Sequence, residues 1–300
     1  MFETPILLLV FNREDKTRRV FEVIRQQKPK YLFVAADGAR KNKPDEAEVC
    51  QRVREIATQI DWDCELKTLF REENLGCKLA VSSAITWFFE NIEQGIILED
   101  DCLPDPSFFP FCEELLSKYK DDTRIGSIGG LNHFPELIGE KLSYDFCSFT
   151  CSSGCGLATW RRAWKNFDIN FPFWDEQRDK RSFLFCNKRE EIYFSSFIPD
   201  VLNNRNGLSA WDTQWYFTLR SQNQLSIVPA VTLVTNIGIG DPDATHTTRK
   251  QNKHLFSASA ISFPLKHPKY VLKNKKLDDL TIKKVFFSWK RLIRYFLNDY

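Results

Sequence analysis

Glu99-Asp100-Asp101 is the densest concentration of chemistry in this 300-residue sequence. Three consecutive carboxylates directly behind the apolar run Gly95-Ile96-Ile97-Leu98 repel one another, and a divalent cation is the simplest compensation. A solvated turn is the plain alternative. Such turns seldom need three acids, however, and Cys102-Leu103-Pro104 continues without the usual turn glycine. Two other apolar runs also end in polar residues, Asn12-Arg13 and Asp37-Gly38. Arg13 would offer a guanidinium fork to phosphate oxygens, an isolated surface arginine being the alternative. Nine cysteines without a C-x-x-C pair indicate neither a disulfide framework nor a usual zinc site. Cys147, Cys151 and Cys155 recur every fourth residue, a spacing open to a metal but more simply read as buried free thiols.

The elements that must position these residues alternate regularly. Pro5–Phe11, Tyr31–Ala36, Cys64–Phe70 and Gly95–Leu98 read as strands, the first two as continuous apolar runs of the kind buried on both faces. Between them, residues 14–27 put Thr17, Val20, Phe21 and Ile24 on one helical face, and residues 45–60 do the same with Val49, Cys50, Val53, Ala57 and Ile60. Residues 76–92 align Cys77, Ala80, Val81, Ala84, Phe88 and Ile92. Four β-α units in about 100 residues predict an α/β fold with a parallel sheet and right-handed crossovers. In such sheets ligands bind outside the carboxyl ends of the strands, where Asn12-Arg13, Asp37 and the acid triplet all fall. Beyond residue 105 the pattern predicts a helix over 107–119, a strand over 125–129, an aromatic-rich region to about 208, a helix over 210–222 and a strand over Leu225–Val234.

Composition excludes several classes. With 43% hydrophobic and 27% charged residues the chain is globular, and no run of about twenty apolar residues suits a membrane-spanning helix. The start lacks the basic segment of a secretory signal, so a cytoplasmic protein is expected. Residues 266–300 hold ten Lys and Arg against three Asp, a local +7 that leaves the rest at −5 within the total of +2. A net-acidic body gives no reason to expect nucleic acid, and any basic function belongs to the tail. No G-x-G-x-x-G follows the first strand and no G-x-x-x-x-G-K-[ST] occurs, so dinucleotide and P-loop readings lose their fingerprint.

Val10-Phe11-Asn12-Arg13, Ala35-Ala36-Asp37-Gly38, Asn74-Leu75-Gly76-Cys77-Lys78, Ile97-Leu98-Glu99-Asp100-Asp101 and Ala210-Trp211-Asp212-Thr213-Gln214-Trp215 follow one another in the order of GT-A glycosyltransferase motifs. Over roughly residues 5–248 the chain resembles that group, in particular the N-acetylglucosaminyltransferase I type and bacterial nucleotide-diphospho-sugar transferase-like proteins. The resemblance implies a Rossmann-like, mostly parallel sheet flanked by helices, in three stretches. Residues 1–130 would be the nucleotide-sugar-binding half, 131–265 an α+β acceptor-side half of the same domain, and 266–300 a basic amphipathic segment.

On that resemblance Asp37 would accept from the nucleotide base and Arg13 would contact the ribose or diphosphate. Glu99 and Asp100 would hold the ribose and sugar, and Lys78 would join the same donor-binding set. Asp101 would ligate manganese or magnesium, stabilising the departing diphosphate, with His246 as a possible second metal or diphosphate ligand if it is not simply solvated. Asp212 would be the general base of an inverting transfer, and Trp211 and Trp215 would offer apolar faces to the acceptor sugar. Ser209 to Asp212 is also a capping-box pattern opening a helix, and both readings can hold together. The small residues of Ser152–Trp160 resemble the family's loop into the acceptor-side helix, or a simple tight turn. The expected partners are a nucleotide-diphospho-sugar, with UDP as the expected nucleotide, and a glycan or lipid-linked acceptor. A metal-assisted phosphohydrolase and a non-catalytic nucleotide-sugar-binding or scaffold protein are the alternatives.

The tail carries its own pattern. Ile282, Val285, Phe286, Trp289, Leu292, Ile293 and Phe296 share one helical face, with Lys283, Lys284, Lys290, Arg291 and Arg294 largely on the other. Residues 282–296 would lie on an anionic membrane surface, making the protein peripheral to the membrane, or would close the body as a packed helix.

Overall fold

The computed structural model describes residues 2–148, 156–177, 180, 184, 185, 187–203, 211–240, 257–286 and 289–297. Strand β1 (Ile6–Val10) is buried along its whole length, as its unbroken apolar run requires. Alternate side chains leave it on opposite sides: Ile6, Leu8 and Val10 enter one apolar cluster, Leu7 and Leu9 another. Helix α1 (Glu14–Gln27) covers the first face with Val20, Phe21 and Ile24. It is followed by β2 (Tyr31–Ala36), α2 (Glu46–Ala57) on the same face, β3 (Glu65–Phe70), α3 (Gly76–Asn91) on the opposite face, and β4 (Gln94–Glu99). These four strands pair in parallel in the order β3-β2-β1-β4.

The expected architecture, a mostly parallel sheet with helices on both faces, is present and extends to eight strands. After β4 the chain makes the short β5 (Cys102–Pro104), α4 (Phe108–Lys118), β6 (Ile125–Gly129), β7 (Tyr144–Cys147) and β8 (Leu157–Trp160). Short helices α5 (Arg161–Trp164) and α6 (Phe173–Glu176) lead to α7 (Lys188–Leu202), α8 (Asp212–Ser221) and β9 (Leu225–Pro229). The full order is β3-β2-β1-β4-β8-β6-β9-β7. Strand β8 lies antiparallel between β4 and β6, so that Ala158 pairs with both Ile96 and Ile128. β6 therefore runs in the same direction as β4, and its carboxyl end reaches the same edge of the sheet.

Two sequence expectations need correction here. Leu157–Trp160, expected in a loop, is this inserted strand, and Ser152–Cys155 lie outside the described residues. Leu225–Val234 is not one strand. Pro229 ends β9, and Asn132 Nδ2 donates to the carbonyls of Pro229 (2.7 Å) and Ala230 (3.4 Å), turning the chain across the end of β6. The chain then forms β10 (Val234–Asn236), which pairs antiparallel with β5.

The C-terminal part closes the second half. Helix α9 (Lys275–Thr281) runs into a π-helical turn at Ile282–Phe286, and α10 (Trp289–Leu297) follows. Leu277 and Ile282 are buried with Phe194, Tyr216 and Phe217 in a third apolar cluster. Asp278 is buried too, accepting from the Ser148 N–H at 2.9 Å.

Candidate functional site

Because β1, β2 and β4 are parallel, their carboxyl ends meet on one edge. There the chain reverses its direction of travel, having gone from β1 out to β2 and β3 before returning to β4 on the other side. That reversal opens a crevice. It is a cavity of about 350 Å³, lined by apolar Leu9, Val10, Phe11, Ala35, Ala36, Ala80 and Val81 and by polar Arg13, Asp37, Arg40, Arg71, Asn74, Glu99 and Asp100. Helix α3 meets it with its first two turns, through Gly76, Cys77, Ala80 and Val81.

Arg13 caps the entry to α1 and reaches across to the end of β4. Its Nη1 donates to Asp100 Oδ1 at 3.1 Å and to Asp101 Oδ2 at 2.9 Å. Burial works against the guanidinium charge, but Asp100 and Asp101 outweigh it and hold its pKa above the ordinary value. A protein cation thus already compensates part of the acid triplet. The compensation is incomplete: burial pushes the Asp100 carboxyl up to about 6, with Asp101 adding to the shift and Arg13 opposing it. Burial also raises Glu99 well above the usual carboxylate range, helped by repulsion from Asp101, Asp100 and Asp212.

Asp212 is therefore close enough to the triplet for its charge to be felt there. It is the first residue of α8, where a carboxylate meets the positive end of the helix dipole. Cys77 feels the same charges. Its thiol opens into the cleft yet lies deep among protein atoms, so desolvation, then Glu99 and Asp212, push it up to about 12.

The small β5–β10 sheet braces the triplet from outside. The Ile237 N–H donates to the Asp101 carbonyl at 2.8 Å, and Gly238 packs so tightly that a Cβ there would lie 2.2 Å from Asp101 Oδ2. Gly238 belongs to a Gly-x-Gly that comes too late in the sequence for a dinucleotide fingerprint, and nothing local marks its contact with a residue 137 positions earlier.

Several residues expected to touch ligand are structural. The Asp37 carboxylate accepts four bonds: Oδ1 from the N–H groups of Gly38 and Leu75, both at 2.9 Å, and Oδ2 from Asn74 Nδ2 and the Gly76 N–H, both at 3.0 Å. It tethers the start of α3 to the end of β2, with Gly76 at φ +76°, a left-handed conformation that favours glycine. Asp37 also lines the cavity, so the residue expected to meet the nucleotide base stands at the crevice while its carboxylate anchors the start of α3. Asn12 donates to buried Glu46 at 2.9 Å; Glu46, bonded above all by Arg40, is held down at about 2.

Trp211 and Trp215, expected as sugar platforms, are 5% and 2% exposed and pack with Trp164 in the core behind α3. Neither presents a ring face to the cleft. Lys78 is half-buried, its pKa lowered by desolvation, and is not among the residues lining the cavity. His246, Ser209, Cys151 and Cys155 lie outside the described residues; Cys147 is buried and in no disulfide.

The residues sequence reasoning missed are Phe11, Arg40 and Arg71. Arg71 directly follows β3, the signal that identified Arg13, and donates from Nη2 to Ser83 Oγ at 2.7 Å. Arg40 closes over the Phe11 ring at 5.5 Å. Among the described residues no three His, Cys, Asp or Glu side chains converge as a metal site. The donor set nonetheless suits a hard cation shared with a ligand: Asp101 Oδ2 is bound to Arg13, while Oδ1 meets the Cys102 thiol at 3.5 Å, a weak donor that a cation would readily displace.

No protein-family model and no curated protein matches the chain. Solved structures similar to it include HddC from Yersinia pseudotuberculosis (8% identity, 55% of this chain and 80% of that one, TM-score 0.33). Others are S. aureus TarS residues 1–349 (10%, 55% and 50%, 0.35) and a cytidylyltransferase from Leptospira borgpetersenii (11%, 75% and 98%, 0.33). The chain spans only half of the TarS fragment, and at these TM-scores the likeness carries no argument about activity.

Proposed function

We propose that the chain is a metal-dependent glycosyltransferase of the GT-A type, moving a sugar with inversion from a nucleoside-diphosphate sugar such as a UDP-sugar to a glycan or lipid-linked acceptor. The observation that carries this reading is the crevice at the strand reversal, which combines apolar lining residues, three arginines and the carboxylates Glu99 and Asp100, with the charge of Asp212 felt at Glu99.

In this reading a flat nucleobase enters between Phe11, Ala35, Ala36 and the Ala80–Val81 face of α3, and Arg40 and Arg71 supply donors at the rim. Phosphate oxygens lie toward Arg13, which is already oriented by two carboxylates and so loses little freedom on binding. Asp101 is the residue that would hold a manganese or magnesium ion, which when bound offsets charge growing on the leaving diphosphate. Glu99 and Asp100, whose raised pKa values favour the protonated form more than usual, would hydrogen-bond hydroxyls of the donor. Asp212 takes the proton from the acceptor hydroxyl as its oxygen bonds to the anomeric carbon and the bond from that carbon to the diphosphate breaks. Asp101 and Asp212 thus divide the work, one on the leaving-group side and one on the acceptor side.

The test is release of nucleoside diphosphate from a panel of nucleotide sugars with manganese, comparing wild type with Asp212→Asn. One donor should be turned over, and the variant should lose roughly 100-fold or more in turnover with donor affinity retained, since a lost general base removes about 10² to 10⁴. Asparagine still suits the first turn of α8, so a folded variant with unimpaired transfer would leave Asp212 only a helix-end role.

A further inference from the structure

The C-terminal helix divides its apolar residues between two directions. Toward the body, Ile282 is buried, Phe286 packs against Tyr193 and Phe194 with ring centroids 5.7 and 6.1 Å apart, and Lys188 of α7 lies 5.8 Å over the Tyr295 ring. Away from it, Val285, Trp289, Ile293 and Phe296 are 41%, 74%, 58% and 70% exposed. Trp289, Ile293 and Phe296, spaced four and three residues apart, share one face of α10, and Val285 is exposed in the π-helical turn before it. Docking on α7 therefore does not cover these four side chains, which stay largely exposed.

The charge around the stripe is of one sign. Residues 282–297 contain Lys283, Lys284, Lys290, Arg291 and Arg294 and no acid. Lys283 and Lys284 are exposed. Residues 1–265 carry −5, so an anionic surface attracts this end and repels the body. A second copy of the chain is a poor occupant, because pairing two stripes would bring like charges together. No helix among the described residues is long and apolar enough to cross a membrane.

We propose that the stripe Val285, Trp289, Ile293 and Phe296, with its flanking lysines and arginines, is a docking surface for an anionic lipid bilayer. The helix lies in the headgroup region on the outer face while its inner face holds it to α7. Trp and Phe enter the interface, and the basic residues meet lipid phosphates. The inference is independent of the proposed sugar chemistry, although a lipid-linked acceptor would then share the plane of the enzyme.

Co-sedimentation of the full-length protein tests it, with vesicles of phosphatidylcholine alone and of phosphatidylcholine with one-quarter phosphatidylglycerol, at low and high salt. Two variants change only exposed residues, so the fold should survive: Trp289→Ser with Ile293→Ser and Phe296→Ser, and Lys283→Glu with Lys284→Glu. The wild type should bind the anionic vesicles, lose binding at high salt, and partition at least tenfold less in each variant. Failure to bind anionic vesicles at low salt, equal binding to neutral ones, or unchanged binding by the triple-serine variant overturns the proposal. So does a wild-type dimer, seen by ultracentrifugation, that the triple-serine variant abolishes, which would assign the stripe to a second copy.

Discussion

Asp100→Asn should make the free protein more stable at neutral pH. The Asp100 side chain is 8% exposed and its carboxyl is pushed up to about 6, against an ordinary 3.8, a value that already includes the attraction of Arg13. That displacement corresponds to about 3 kcal/mol. The folded state holds the proton to higher pH than the unfolded chain. Stability from this group is therefore fully present below about pH 4 and is lost as pH rises through about 6. Asparagine keeps the oxygen that accepts from Arg13 Nη1 and cannot ionise. The difference in unfolding free energy between variant and wild type should grow in favour of the variant from about pH 4 to 6.5, then level off at up to about 3 kcal/mol. Urea denaturation of both proteins at half-unit pH intervals measures that difference, in which titrating groups remote from Asp100 cancel. A flat difference across this window, or a variant less stable than wild type at about pH 7.5, would refute the argument that Asp100 is held ionised against its surroundings.

Asp37→Ala removes an acceptor of four hydrogen bonds and should cost roughly 2–4 kcal/mol, with hydrogen exchange accelerated first at Leu75 and Gly76. Nucleotide affinity should fall with the loss of α3's anchoring, whichever base is offered. Trp215→Ala should cost about 3–5 kcal/mol by opening a cavity beside Trp164, whereas Trp215→Phe should leave the acceptor KM unchanged within about twofold. A large KM increase in the phenylalanine variant would restore Trp215 to the acceptor side.

β1 and β2 were legible because strands of a parallel sheet covered on both faces read as unbroken apolar runs, and β1, β2 and α1 fall within a residue of expectation. The insertion of β8 and the pairing of β10 with β5 were not. They are three- and four-residue strands whose partners lie about 30 to 130 positions away, so nothing local distinguishes them from loop. The site divides the same way. Arg13 and the acid triplet were visible as charge at the ends of buried strands. The task of Asp37 was not, because a carboxylate at a strand end looks the same in sequence whether it accepts from its own backbone or from a ligand. Trp211 and Trp215 show the converse, since aromatic spacing alone does not say whether a ring faces a cleft or a core.

The central claim is that this crevice binds a nucleoside diphosphate group with a cation held at Asp101. Thermal unfolding with a panel of nucleoside diphosphates, with and without manganese, compared between wild type and Asp101→Ala, tests it most directly. Ligand at about 100 times Kd contributes about 2.7 kcal/mol, which corresponds to a rise in melting temperature of roughly 5 °C or more. One nucleoside diphosphate should produce that rise in the wild type only with manganese, and Asp101→Ala should abolish it while its own melting temperature shows a folded protein. The absence of any shift across the panel, or a shift as large in Asp101→Ala as in the wild type, would contradict the account.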